Sequence, residues 1–311
     1  MDFFTQYGLF ALKTITLVIA ILFLLGGMLA ITRKPKADLT ITSLNKEYQA
    51  MKQYLEKEVF GKKSKTKKEK KSPKHTLYVV DFNGDMKASQ VEALRKEISA
   101  ILSVVNSKDE VLIRLESPGG TVNGYGLAAA QLQRLRDREI SVTACIDKMA
   151  ASGGYLMACV AHQIIAAPFA IIGSIGVVTQ MPNFHRWLQK NDIDVELLTA
   201  GEYKRTLTVF GKNTPKGRAK FQEDLEAIHD NFRQYVLSNR EALNIDKVAT
   251  GEHWLATDAI DLKLIDLLQT SDEFIMEKLN THNVYHIKCV YKQSILEKLL
   301  RPAAKLLHPF A

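Results

Sequence analysis

The sequence predicts an α/β fold of parallel βαβ units behind an N-terminal transmembrane helix. Three observations carry that reading. No charged residue occurs from Thr14 to Thr32, a run dominated by Leu, Ile, Val, Ala and Phe. From residue 76 onward, short apolar runs of strand length alternate with longer amphipathic ones, the pattern of strands joined by crossover helices. Three glycine-rich turns, Ser117-Pro118-Gly119-Gly120, Ala150-Ala151-Ser152-Gly153-Gly154-Tyr155 and Gly173-Ser174-Ile175-Gly176, fall where strand-like runs end.

At about 1.5 Å rise per residue, roughly 20 apolar residues span the hydrocarbon core of a bilayer. A cleaved signal peptide would have a basic start and a shorter apolar core. Here the start carries Asp2, and Gly27-Met28-Leu29-Ala30 is a poor cleavage site. Residues 1–36 therefore read as an anchor ending in the basic flank Arg33, Lys34 and Lys36. Residues 40–60 read as an amphipathic helix, because Leu44, Tyr48, Met51, Leu55 and Val59 recur every three or four positions. That stripe suits a neighbouring subunit, the protein's own surface or a membrane surface. The tract that completes the 37–75 segment is rich in lysine and poor in apolar residues, as in a solvated, self-repelling linker. Anionic lipid headgroups are a second partner for it.

Strands are expected at Leu77–Phe82, Val111–Leu115, Ile140–Ile146, Gln163–Ala166, Ile175–Thr179 and Val195–Leu198. Helices are expected at Ala88–Val105 and Gly124–Arg138, from Ser152 onward, and over Pro215–Leu243, a long charged stretch suited to an interface. Residues 271–311 read as a C-terminal strand followed by a basic amphipathic helix over Ser294–Leu307, a membrane-surface helix or an ordinary surface one.

Composition excludes some classes. The net charge of +8 is local: between Lys62 and Lys74 stand eight of the 42 basic residues and one of the 34 acidic ones, leaving 34 against 33 elsewhere. No basic face remains to follow a phosphate backbone, so nucleic acid is not an expected partner. Cys145, Cys159 and Cys289 are too scattered for a disulfide framework or a metal site, and Cys145 and Cys159, in apolar runs, read as small core residues.

The chemistry centres on Ser152. A small-Ser-Gly-Gly turn entering a helix can expose the hydroxyl while backbone N–H groups and the helix N-terminus favour a developing negative charge. Such turns also serve simply as tight connections. A serine nucleophile needs a base. His162, near the end of the expected helix, and His185, in a polar segment, are poorly placed. Lys204, in Ala200-Gly201-Glu202-Tyr203-Lys204, follows an apolar run and a glycine turn. It acts as a base only if burial or a nearby cation destabilises its ammonium, and it is otherwise a solvated loop lysine.

The ordered set S-P-G-G, A-A-S-G-G-Y, G-S-I-G-V and G-E-Y-K, with 52 positions from Ser152 to Lys204, resembles the signal peptide peptidase A family of membrane serine peptidases. The anchor and lysine-rich segment bring it nearest to that family's SohB branch. The resemblance covers most of residues 76–270 and implies a crotonase/Clp-protease-like superhelix there. It implies hydrolysis of peptides or unfolded proteins through an acyl-enzyme on Ser152, with Lys204 as general base and Ser174 orienting the lysine. The oxyanion hole would come from Gly153 and the 119–120 pair, Gly120 in preference to Gly119. No metal or cofactor is implied. The family's catalytic domains assemble into rings, which implies a homo-oligomer in a bacterial inner membrane. The positive-inside rule places the C-terminal side in the cytoplasm, whereas the family resemblance places it in the periplasm. The Ser-Pro pair that often follows the family's lysine is missing from Arg205–Pro215, which leaves substrate preference open.

Other readings compete. A crotonase-like acyl-CoA enzyme would use the same backbone donors with a carboxylate base, and a membrane scaffold would carry the dyad as a vestige. A Clp-type triad lacks its histidine. Gly124-Tyr125-Gly126 mimics a dinucleotide loop without its downstream acid, His282 and His286 lack a carboxylate placed for zinc, and no Walker loop occurs.

Overall fold

The structure, a computed structural model, describes residues 3–32, 37–61 and 75–291. The basic flank, the lysine-rich tract and the expected helix over Ser294–Leu307 lie outside the described residues. The chain divides into two compact units, Met1–Thr40 with Cys289–Ala311, and Ile41–Lys288. The first contains helix α1 (Phe3–Thr32), which includes the uncharged run. Among the described residues no helix is long and apolar enough to cross a membrane. The side chains of α1 beyond Ile19 are not among those described. Strand β1 (Ala37–Ser43) takes the first four residues of the helix expected over 40–60, and it crosses the division between the units.

The larger unit begins with helix α2 (Leu44–Phe60), whose first turns match the expected stripe. Then come β2 (His75–Asn83), α3 (Val91–Leu102), β3 (Glu110–Glu116), α4 (Val122–Arg136) and β4 (Ser141–Ile146). The strands pair in parallel, Leu77 opposite Glu110 and Val111 opposite Val142. They are buried on both faces, which is why they read as nearly continuous apolar runs. Val80, Phe82, Val111, Ile113 and Val142 pack on one side with Leu94 and Ile98 of α3 and Leu132 and Leu135 of α4. Leu77, Val79, Leu112 and Cys145 face the other side, where Leu44 and Tyr48 of α2 pack.

After β4 come β5 (Met149–Ala151), α5 (Gly153–Ala158), β6 (Gln163–Ala166) and β7 (Ile171–Gly173). Helix α6 (His185–Lys190) precedes α7 (Pro215–Asn239), which has Pro215 in its first turn and the Thr214 hydroxyl accepting from Gly217 N–H. The remainder is α8 (Ile245–Val248), β8 (His253–Leu255), α9 (Ala256–Ala259), β9 (Leu267–Leu268), α10 (Ser271–Lys278) and β10 (His282–Tyr291), which runs across the unit boundary. Within the unit the main sheet runs β10-β2-β3-β4-β6-β9, and a second sheet runs β5-β7-β8. The result is a mixed α/β architecture. All three cysteines are buried and unbridged, and burial pushes the Cys159 thiol up to about 12.

Two expected strands are absent. Residues 175–179 and 195–198 carry no regular element. A strand needs a hydrogen-bonding neighbour and a buried face along its length; here Ile175 is buried, but Val178 is 90% and Leu198 91% exposed.

The strands β10, β2 and β3 are tied by charge. Arg114 makes a fork with Asp81, at 2.6 Å from Nε and 3.0 Å from Nη2. His286 Nε2 stands 3.0 Å from the same carboxylate but off the line of an N–H bond. Burial opposes the charge on Asp81. The His286 and Arg114 contacts outweigh it and hold the carboxyl at about 2. Because the folded value lies below the unfolded one, this stabilisation is complete above about pH 4 and is lost as pH falls toward 2. Asp81→Asn is expected to cost about 2 kcal/mol at neutral pH and to flatten the loss of stability between pH 4 and pH 2. Urea titrations across that range would show it, and an unaltered pH slope would refute it.

Candidate active site

Three turns meet at the second sheet. Strand β3 ends at Glu116, and Ser117 bridges in parallel to Ala150 of β5. Its N–H donates to Met149 O at 2.8 Å, and its carbonyl accepts from Ala151 N–H at 3.0 Å. The Ser117–Gly120 turn is thereby hydrogen-bonded to the strand that leads to Ser152. Strand β5 pairs in parallel with β7, Ala151 opposite Gly173, so Ser152 and Ser174 follow at the ends of adjacent strands.

Both serines have positive φ, 52° in each case. For residues with a Cβ such a conformation costs roughly 1–3 kcal/mol and persists only where the surroundings impose it. Here they do. Ser152 N–H donates to Gly173 O at 2.8 Å and Ser174 N–H to Glu252 O at 2.6 Å. Ser152 sits between β5 and the first turn of α5, at a sharp strand-to-helix junction that leaves its side chain only partly buried. Gly119 closes the arrangement. At φ +88° a Cβ there would lie 2.8 Å from Ala151 O, Gly153 N and Ser152 Cβ, so only glycine lets this turn lie against the serine.

Ser152, Gly153, Gly119, Gly120 and Ser174 line one cleft of about 850 Å³. Its far wall is apolar, with Leu156 of α5 and Ile228, Phe232 and Tyr235 of α7. Gly119 N–H is already committed to Ser117 Oγ, at 3.0 Å. Gly120 and Gly153 line the same cleft, and no hydrogen bond from either N–H is found among the described residues.

Lys204 is not in that wall. It is exposed, in the turn after Gly201, with its N–H on Gly201 O at 3.2 Å. That turn is held to α7: Glu202 pairs with Lys216, and the ammonium groups of Lys216 and Lys220 lie 5.9 and 5.7 Å from the centre of the Tyr203 ring. The structure thus gathers Ser152, Ser174 and the three glycines and leaves Lys204 outside. Conversely, His229 of α7 lines the cleft, a residue the sequence reading passed over. Its Nε2 is 3.3 Å from Ile175 O and carries the proton there, since a carbonyl only accepts. The spacing of Ile228, Phe232, Tyr235 and Val236 marks an apolar, half-buried stripe on α7 that would have drawn attention to this face. Of the other histidines, His282 lies 3.2 Å from Glu110 and His286 beside Asp81, both as ties between strands.

The strained turn at Ser152 suits a nucleophile, and the chain's relatives place it among the serine endopeptidases. Sequence profiles of peptidase family S49 match residues 134–284, and those of the family's N-terminal part match residues 2–132. A probable protease SohB of Haemophilus influenzae is 46% identical over 97% of this chain and 93% of its own. A putative protease SohB of Buchnera aphidicola is 44% identical over 99% and 97%. Among solved structures, a membrane-bound stomatin-specific protease with a substrate peptide aligns with TM-score 0.43 and 17% identity, over 75% of this chain and 99% of that one. The chain belongs to peptidase family S49, as a member of the SohB type.

Glycine substitutions test the packing of the turns. Gly119→Ala is expected to lower the urea midpoint strongly, through positive φ and three contacts under van der Waals distance. Gly126→Ala, within α4 and with open space around the new methyl, is expected to stabilise by about 0.5–1 kcal/mol. Equal effects at the two sites would contradict the geometry.

Proposed function

We propose that the chain cleaves peptide bonds through an acyl-enzyme on Ser152, with Lys204 as general base and Ser174 orienting it. The Ser152 hydroxyl adds to the scissile carbonyl as its proton passes to the uncharged amine. The tetrahedral oxyanion rests on the N–H groups of Gly120 and Gly153, and the leaving amine takes the proton back as the acyl-enzyme forms. The observation that carries this reading is the convergence of Ser152, Ser174 and Gly120 on one cleft through two strand pairings. The strand–turn–helix repeats feeding a small second sheet support a crotonase- and Clp-like superhelix for residues 76–270. The apolar wall of the cleft suits hydrophobic side chains of peptides or unfolded proteins.

The lysine's position favours an assembly. Val178, Trp187, Leu197, Leu198 and Phe210 are exposed on the stretch that surrounds Lys204. Apolar surface on that scale marks a protein contact. In the proposed homo-oligomer this stretch packs on a second copy and delivers Lys204 to the neighbour's Ser152. The uncharged run of α1 supports a single anchor in a bacterial inner membrane, with lipid as the partner of that helix.

His229 offers a second reading, because it lines the cleft that Lys204 does not. Its Nδ1, the ring nitrogen left without a proton, would then be the base. The two readings separate on mutation. Ser152→Ala and Lys204→Ala are each expected to abolish peptide cleavage, and mixing the two inactive proteins is expected to restore part of it. Full activity in Lys204→Ala, with loss in His229→Gln, would transfer the role to the histidine. No recovery on mixing would place the lysine in its own subunit's cleft.

A further inference from the structure

The two backbone donors assigned above share one buried support. Tyr125, on the first turn of α4, is wholly buried, and so is Ser117. The Tyr125 hydroxyl lies 2.9 Å from Asp85 O and 2.5 Å from Ser117 Oγ. A phenol has one proton, and a carbonyl can only accept, so Tyr125 donates to Asp85. Ser117 must then donate to Tyr125, and its lone pairs are left to accept the Gly119 N–H at 3.0 Å. Every direction in the chain from Gly119 N–H through Ser117 and Tyr125 to Asp85 O is fixed. Burial also raises the Tyr125 phenol above its ordinary value, which keeps the proton on the oxygen.

The same side chain supports the other donor. A Cβ at Gly153 would stand 2.4 Å from Tyr125 Cγ, so the ring lies directly against that residue. A Cβ at Gly84 would stand 2.3 Å from the Tyr125 hydroxyl and 2.5 Å from Ser117 Oγ, so no larger residue fits beside the pair. Gly120 in turn lies against the Met86 backbone, whose carbonyl would be 2.1 Å from a Cβ, and Thr121 N–H donates to that same carbonyl at 2.9 Å.

We infer that Tyr125 and Ser117 are positioning residues for the oxyanion hole: their hydroxyl chain turns Gly119 N–H inward and fixes the next peptide, so that Gly120 N–H faces the carbonyl oxygen at Ser152, while the Tyr125 ring sets Gly153. Neither hydroxyl touches substrate. Their effect is confined to the transition state, because the hole binds an oxyanion more strongly than a ground-state carbonyl. The inference rests on Ser152 being the nucleophile and on the two glycine donors.

Tyr125→Phe keeps the ring and removes the chain's middle link. With a peptide substrate, kcat is expected to fall roughly 10- to 100-fold with KM within about twofold, less than the loss on deleting a direct donor. Affinity for a peptide aldehyde, which forms a tetrahedral adduct with the serine, is expected to fall by a similar factor, with binding of the product peptide unchanged. Ser117→Ala breaks the chain at its other hydroxyl and should reproduce the pattern. The double variant should be little worse than either single one, and it serves with Ser117→Ala if Tyr125→Phe fails to fold. A wild-type kcat in both single variants, or a loss carried by KM and product affinity, would overturn the inference while leaving the nucleophile intact. Full activity in Ser152→Ala would instead overturn the reading beneath it.

Discussion

Two hydrogen bonds join the end of β3 to β5, from Ser117 N–H to Met149 O and from Ala151 N–H to Ser117 O, and the cleft depends on that join. Strand β3 belongs to the main sheet and β5 to the second. Without the bridge, the Ser117–Gly120 turn and Ser152 would be set by separate layers, and small shifts between layers would move the turn away from the serine. With it, the backbone of Ser117 places both. The pairing of Ala151 with Gly173 then brings Ser174 alongside, so three turns distant in sequence are positioned by backbone pairing before any side chain contributes.

The arrangement is held by the core behind it. Ser152 and Ser174 occupy backbone conformations that a free chain avoids. Both are imposed by a neighbouring carbonyl that captures the serine N–H, and both adjoin residues with no exposed surface, Ala150 and Ile172 before them and Tyr155 and Ile175 after. Tyr155 shows how far the support extends: its hydroxyl donates to Leu264 O at 2.9 Å, in the loop before β9. Close packing of this kind lets the surrounding core hold the strained turns in place.

This explains what was legible in the sequence. The strands from Leu77 to Ala166 could be read because both faces are buried, and helices α3 and α4 because each presents one apolar face to the sheet. The three turns were visible from their glycines, yet their meeting was not, since the bridge from Ser117 to Ala150 is a backbone contact that no side-chain pattern marks. Tyr125 was seen only as part of a false dinucleotide loop, because its hydroxyl's partners lie at residues 85 and 117. The strands expected at Ile175–Thr179 and Val195–Leu198 are absent because, past the buried Ile175, apolar content there does not bring burial. On the proposed reading, exposed Val178 and Leu198 belong to the surface that meets a second copy.

That failure and the position of Lys204 belong together. The serine half of the proposed dyad is held by interior packing, whereas the lysine is carried on the stretch whose apolar side chains this single chain leaves in water. A base supplied through association would be absent from the isolated subunit. On the proposed reading a lone subunit would hold Ser152 in place without its lysine base, and peptide hydrolysis would begin only where copies meet. On the proposed reading, burial of the exposed stretch and completion of the dyad are one event, so the apolar surface that drives association also removes from water the ammonium that must give up its charge.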